Sequence, residues 1–298
     1  MRRLLLVLAV LLAVPSLWVV DVALDRADAG VVLTKVQTAD DAEYDPGRWK
    51  DTIFVLLVGS DERPGLEGAR GDALHLVGLN PSQGRATILN FPRDTWVDVP
   101  GYGVRRINEA YQLGGAQLQA ETVRRLTGVP VTYVLTTTFG GLVAMVDSLG
   151  GLEVDVPYPM DDQNSGAAFA GGRQMMSGAQ VLAFSRNRHI PDGDINRTAH
   201  QGQVIIHTLA KLRAEGTSGT DVLRYLDVLF RSVRVDGVSP TDLYRLGRAA
   251  LRIDPGAVRN YTIPVRIGFA GSASVVFVRP EATRVFEDFR DDAVLQAH

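Results

Sequence analysis

The sequence contains no cysteine and only three lysines, Lys35, Lys50 and Lys211. The first absence excludes disulfides, thiolate catalysis and Cys-ligated metals, and it is neutral on compartment because secreted bacterial domains often lack disulfides. The second makes nearly every basic residue an arginine, a bias that a GC-rich genome produces and that carries no functional meaning alone. Several chemistry-bearing patterns are also missing: there is no Walker A loop, no GxSxG and no HExxH. The histidines at 75, 189, 200, 207 and 298 lack metal-ligand spacing. A formal net charge of -3 gives no overall basic field, which argues against nucleic acid as a partner. Any anion site must therefore be local.

What the chain does have is 298 residues, 46% of them apolar, enough for one large domain or two small ones with a substantial core. Arg2-Arg3 is followed by an uncharged run from Leu4 to Val20, then Asp21 and Asp25. A run of about 17 residues reaches the lower limit for crossing a bilayer. The positive flank keeps residues 1–3 cytoplasmic and sends the remainder outside. Its length exceeds the usual signal core of about 7–15 residues and favours a retained signal-anchor over 4–20; cleavage after Ala27-Asp28-Ala29 is the alternative. Residues 21–50, polar and charged with Pro46-Gly47 near their end, read as an extracytoplasmic stalk, leaving 51–298 as the main folded domain.

Beyond residue 50 strands and helices alternate without a repeat. Thr52–Val58, Ala73–Leu79, Arg85–Asn90, Tyr133–Phe139, Tyr261–Val265 and Ala273–Val278 read as strands. Helices are expected over Ala116–Leu126, from Phe139 to Leu149, from the Ser177 cap to about Arg186, over Asp194–Ala214, 221–234 and 240–252, and from Pro280 to about Leu295. Gly101-Tyr102-Gly103 and Gly114-Gly115 read as turns. The pattern is that of a single α/β domain, a mixed central β-sheet flanked by helices.

Four segments place Arg beside Asp at element edges: Asp61-Glu62-Arg63, Arg70-Gly71-Asp72, Pro92-Arg93-Asp94-Thr95, and Arg186 to Arg197. Loops at strand ends are where α/β folds hold ligands. A planar guanidinium donates two parallel hydrogen bonds to phosphate oxygens, and paired carboxylates suit Mg²⁺, which binds through a few carboxylates together with substrate phosphates. Each segment alone is more economically a surface ion pair; together they propose one site for an anionic, phosphate-bearing substrate. His75, inside an apolar strand, reads as a satisfied buried group rather than a base. Asp161-Asp162, beside Asn164-Ser165-Gly166, reads as a solvated loop rather than a metal site.

These segments resemble the LytR-CpsA-Psr family of bacterial cell-envelope enzymes. Seven landmarks occur in family order: Gly59-Ser60-Asp61-Glu62-Arg63; Arg70-Gly71-Asp72; Pro92-Arg93-Asp94-Thr95; Arg106-Ile107-Asn108-Glu109-Ala110-Tyr111 with Gly114-Gly115; Asp147-Ser148-Leu149-Gly150-Gly151; Ser185-Arg186-Asn187-Arg188; and Gly193-Asp194-Ile195-Asn196-Arg197 followed by Gln201. The resemblance implies a bacterial membrane protein with a single-pass anchor and an external catalytic domain. It implies transfer of a glycopolymer from a polyprenyl-pyrophosphate carrier to peptidoglycan through a phosphodiester link, in cell wall biogenesis. Asp61 and Asp72 would hold Mg²⁺, with Mn²⁺ as a substitute; Arg70, Arg93, Arg106, Arg186, Arg188 and Arg197 would grip the pyrophosphate, with Gln201 beside them. The implied catalytic set is Asp72, Arg93, Arg186, Arg188, Asp194 and Arg197, Asp194 either orienting Arg197 or assisting deprotonation of the acceptor hydroxyl. The lipid tail would lie in an apolar groove between helices and sheet.

The sequence departs from the family pattern at three places. Arg70-Gly71-Asp72-Ala73 replaces the usual Arg-Ser-Asp-Thr, Arg106 replaces a common Lys, and His200-Gln201-Gly202 replaces Arg-Gln-Gln. The same residues would also serve a lipid-pyrophosphate hydrolase, with water as acceptor, or a non-catalytic membrane-tethered module that binds polyprenyl phosphates or wall polymer.

Overall fold

A run of β-branched and apolar residues alternating in burial sets the centre of the molecule: Ile53–Ser60 (β2) buries Phe54, Leu56 and Val58 on one face and turns Val55 and Leu57 to the other. The computed structural model describes residues 30–37, 52–62, 69–188, 193–218 and 233–296, with the backbone alone at Asp194. Around β2 lie Val31–Lys35 (β1), Gly71–Asn80 (β3), Arg85–Asn90 (β4), Tyr133–Thr138 (β7), Arg234–Asp236 (β12) and Val258–Thr262 (β13), hydrogen-bonded in the order β12-β1-β7-β2-β3-β4-β13. Pairings β1/β12, β2/β7 and β4/β13 are parallel; β1/β7, β2/β3 and β3/β4 are antiparallel. The sheet is mixed, as the alternation of elements implied.

Helices cover both faces. On one, Glu109–Thr127 (α1) and Ala282–Asp292 (α6) close over Phe54, Leu56, Val58, Leu74, Leu76 and Phe91 with Leu118, Val123, Phe286 and Phe289. On the other, Asp194–Glu215 (α4) and Pro240–Arg252 (α5) bring Ile205, Leu209 and Ala249 against Val77, Leu79 and Ile88. A third cluster joins Phe139–Ser148 (α2) and Gly178–Arg186 (α3) to small hairpins formed by Leu152–Val156 (β8) with Gly172–Met176 (β11), and by Met160–Asp162 (β9) with Ala167–Phe169 (β10). The remaining hairpins pair Trp96–Val99 (β5) with Gly103–Arg106 (β6), and Val265–Ala270 (β14) with Ala273–Val278 (β15).

Three expectations shift. The stalk assigned to 21–50 contains β1, whose Val31, Leu33 and Val36 are buried and whose backbone completes a ladder between β7 and β12; five residues in a polar stretch carry too little periodicity to stand out as a strand. The strand expected at Tyr261–Val265 is Val258–Thr262, and Val265 instead opens β14. Gly114 and Gly115 turn inside α1, kinking it through a left-handed φ of 62° at Gly115, so the helix begins at Glu109, before the expected Ala116. Residues 1–29 and 219–232, which carry the expected anchor and one expected helix, lie outside the described residues. No described helix is long and apolar enough to cross a membrane.

Candidate functional site

The ends of β2 and β3 present Asp61 and Asp72 to one side of the sheet. The Asp61 carboxylate accepts from the Arg70 backbone N–H at 2.8 Å, closing the loop between the two strands. One Asp72 oxygen accepts from Arg93 at 2.9 Å and the other from the Asn108 amide at 3.3 Å. Arg93 also lies 3.9 Å from Asp94, whose other oxygen is 3.4 Å from Arg106. Charges thus alternate along Arg106, Asp94, Arg93 and Asp72, with Arg106 further tied to the Ser274 carbonyl at 2.9 Å.

Helix α3 delivers the next group. Ser177 and Gln180 form a reciprocal capping box at its start, and Arg186 stands in its last turn, where the helix dipole favours a cation. Thr138 caps α2 by accepting from the Gly141 N–H, which places Phe139 so that the Arg186 guanidinium lies 5.1 Å over its ring. Helix α4 brings Arg197 and Gln201 on one face, four residues apart. Arg197 is buried and donates to the Asp72 carbonyl at 3.3 Å; Gln201 donates to the Ser185 carbonyl at 3.0 Å.

Asp61, Asp72, Arg186, Arg188, Arg197 and Gln201 line a single cavity of about 830 Å³. Arg70, Arg93 and Arg106 do not line it: Arg70 donates to Gln112 at 3.2 Å, and Arg93 reaches the cavity through its bond to Asp72. Arg63 and the Asp194 side chain lie outside the described residues. Away from the charges the wall turns apolar, with Leu57, Leu135, Ile205, Leu209 and Ala250 shared between this cavity and a second one of about 300 Å³ between the sheet and α4 and α5. The second cavity is lined throughout by apolar side chains and Gly247. The two cavities adjoin across these five shared residues, and the larger one carries both the charged groups and an apolar wall.

A buried polar chain ties α4 to the sheet beside this space. Asn260 donates to the Ala199 carbonyl at 2.8 Å, Asn90 donates to the Asn260 side-chain oxygen at 2.6 Å, and the Asn90 oxygen lies 2.7 Å from His75 Nδ1. Because a carbonyl only accepts, the order of donors is fixed from Ala199 onward and His75 must carry its hydrogen on Nδ1. Burial pushes His75 down to about 4, opposed by the Asn90 and Gln201 side chains and reinforced by the Arg197 charge, so the ring is neutral at pH 7. Gly202 belongs to this chain: a β-carbon there would stand 2.2 Å from the Asn260 oxygen. In this chain Asn260 occupies the space that a side chain at 202 would need. His200, also buried, stacks 5.2 Å from the Phe184 ring.

Sequence reasoning missed the second hairpin. Asp162, read as part of a solvated loop, is only 4% exposed and lines the cavity together with Asn164 and Ser165. An alternating pattern of three residues per strand is too short to register as a hairpin; the burial of Met160, Asp162 and Ala167 on one side is visible only in three dimensions.

Two carboxylates facing a cavity rich in arginine suit an ion that completes its shell with substrate oxygens. Among the described residues no three His, Asp or Glu side chains cluster as a self-sufficient metal cage. Asp61 and Asp72 therefore fit a Mg²⁺ ion shared with a bound phosphate.

The model of the LytR_cpsA_psr family matches residues 26–289. The chain belongs to the LytR_cpsA_psr family. Its relatives include the probable cell wall biosynthesis protein LcpB of Corynebacterium glutamicum, 31% identical over 86% of this chain and 62% of LcpB. The polyisoprenyl-teichoic acid–peptidoglycan teichoic acid transferase TagU of Bacillus mycoides is 34% identical over 65% of this chain and 60% of TagU. The chain thus spans about three fifths of the length of these relatives. Among solved structures of the same fold, TagV of Bacillus subtilis superposes with a TM-score of 0.68 at 23% identity, covering 81% of this chain and 98% of TagV.

Proposed function

We propose that this member of the family is a phosphotransferase that moves a glycopolymer from a polyprenyl-pyrophosphate carrier to a peptidoglycan hydroxyl, leaving a phosphodiester link. The observation that carries this reading is the mixed lining of one cavity: Arg186, Arg188 and Arg197 with two carboxylates share it with Leu57, Leu135, Ile205 and Leu209. A pyrophosphate esterified to a long hydrocarbon has that distribution of charge and grease. The name of TagU, which describes transfer of teichoic acid from a polyisoprenyl carrier to peptidoglycan, supports the same reading.

In this mechanism Arg186, Arg188 and Arg197 bind the diphosphate oxygens and neutralise charge that builds as the polyprenyl phosphate leaves, a positioning and electrostatic strategy. Arg93 holds the Asp72 carboxylate in place, and Gln201, fixed to the Ser185 carbonyl, sits beside the phosphates. Arg70 fixes the Asp61 loop through its backbone, and Arg106 steadies Arg93 through Asp94. Asp61 and Asp72 would hold Mg²⁺, or Mn²⁺ in its place; a bound divalent ion supplies Lewis-acid polarisation of phosphate oxygens. The protein works at the outer face of the bacterial membrane, anchored by residues 4–20, so that carrier and wall are both within reach and no nucleotide is needed.

Arg186→Ala and Arg188→Ala, expressed in the full chain, are each expected to lower transfer at least 100-fold while the circular dichroism spectrum stays unchanged. Polymer transfer by either variant at the wild-type rate removes these residues from the mechanism.

A further inference from the structure

We infer that the β9–β10 hairpin is the acceptor subsite, with the Asp162 carboxylate taking the proton of the attacking sugar hydroxyl and Asn164 binding its neighbours. This deepens the transferase reading and rests on it. Three described carboxylates line the large cavity, and two of them, Asp61 and Asp72, stand together at the β2 and β3 ends. Asp162 comes from elsewhere, on a hairpin whose Met160, Ala167 and Phe169 pack with Val181 and Phe184 of α3. That helix ends in Arg186, and Asp162, Asn164 and Ser165 of the hairpin line the same cavity as Arg186, Arg188 and Arg197.

The chemistry of the hairpin suits a glycan hydroxyl. Asp162 is only 4% exposed and lines the cavity, whereas its neighbour Asp161 is exposed and does not line it. One Asp162 oxygen accepts from the Asn164 N–H at 3.0 Å, which braces the turn. The exposed Asn164 carboxamide offers both a donor and acceptors, the complement that vicinal hydroxyls require. Ser165 fixes the turn further, its hydroxyl donating to the Asp162 carbonyl at 3.3 Å. In the transfer step the hydroxyl oxygen forms a bond to the phosphorus that bears the glycopolymer. The bridging P–O bond breaks, the polyprenyl phosphate leaves with the electron pair, and the hydroxyl proton passes to Asp162.

Asp162→Asn keeps the oxygen that accepts from Asn164 and removes only the charge and basicity, so it separates the turn from the chemistry. Full-length protein in detergent would be assayed with a polyprenyl-pyrophosphate-linked oligosaccharide, Mg²⁺ and a defined peptidoglycan glycan as acceptor, following phosphodiester product against pH. Asp162→Asn is expected to lower kcat about 100-fold or more, with the donor KM unchanged and the acidic limb of the pH profile lost. Asn164→Ala is expected to raise the acceptor KM about tenfold with little change in kcat. Transfer by Asp162→Asn within twofold of wild type, or loss of the acidic limb in Asp194→Asn instead, overturns the inference while leaving the transferase reading intact. Should Asp162→Asn fail to fold, an unchanged acceptor KM in Asn164→Ala overturns it. Absence of any phosphodiester product from the wild-type protein sinks the transferase reading, and the acceptor subsite with it.

Discussion

The two faces of the central sheet are built from the same strands and do opposite things. Under α1 and α6, Phe54, Leu56, Leu74 and Leu76 are buried in one core with aromatic side chains, Phe54 edge to face with Phe289 at 5.3 Å and Phe91 stacked on Phe286 at 6.4 Å. Under α4 and α5 the alternate residues of the same strands, Val55, Leu57, Val77 and Leu135, look onto a cavity. A void lined by hydrocarbon gives up dispersion contacts and is a standing cost to the fold. The first face holds the molecule together; the second gives up part of that stability to keep a cavity, the one proposed above to take the carrier's hydrocarbon.

The sharpest way to break this contrast is to truncate adjacent residues of β2. Leu56→Ala, on the packed face, is expected to cost about 2–5 kcal/mol in denaturant unfolding, whereas Leu57→Ala, already beside a void, should cost under about 2 kcal/mol. Equal losses would mean that the two faces are packed alike.

Next in size is acid. The neutral His75 ring on the ligand face has its folded value at about 4, below the ordinary 6.5, so the unfolded chain takes up the proton first as pH falls. Its contribution is therefore complete above pH 6.5 and is lost between there and pH 4, about 3 kcal/mol in all. Burial lowers His200 and His207 as well, with the same sign. Unfolding midpoints of the wild type and of His75→Asn, compared from pH 7 to 4.5, isolate the His75 share as the part of the slope that the variant loses.

Smaller still is Gly202→Ala, which forces a methyl against Asn260 and is expected to destabilise by about 1–3 kcal/mol, while the paired change Gly202→Ala with Asn260→Gly recovers part of it. No recovery would separate Gly202 from the polar chain.

Much of this was legible in the sequence where local signals were strong. The apolar run at Thr52–Val58, most of which forms β2, and the Ser177 cap read correctly because each is written within a few consecutive residues, and the Arg/Asp segments fall at element edges. The site was legible as a set of residue types but not as a geometry. Arg106 and Arg197 look equivalent in sequence, yet one is drawn to Asp94 and Ser274 by the β5–β6 hairpin while the other is buried against Asp72. β1 escaped notice because a five-residue strand in a polar stretch is recognised only by its partners. The groove was expected between helices and sheet but its lining escaped for a different reason: Leu57 and Leu135 are apolar whether they face a helix or a void, and only the distance to α4 and α5 decides.

The most direct test of the claim that one site holds both charge and hydrocarbon is the binding of a long-chain polyprenyl pyrophosphate, compared with a short-chain analogue bearing the same diphosphate, to the wild-type protein and to Ala250→Trp. Ala250 lines both cavities, so a tryptophan there takes up apolar space where the two adjoin. The account predicts that the long chain binds the wild type at least tenfold more tightly than the short one, and that Ala250→Trp abolishes this advantage while still binding the short chain. Equal affinity for both chains in the wild type, or an advantage that survives the tryptophan, would contradict it.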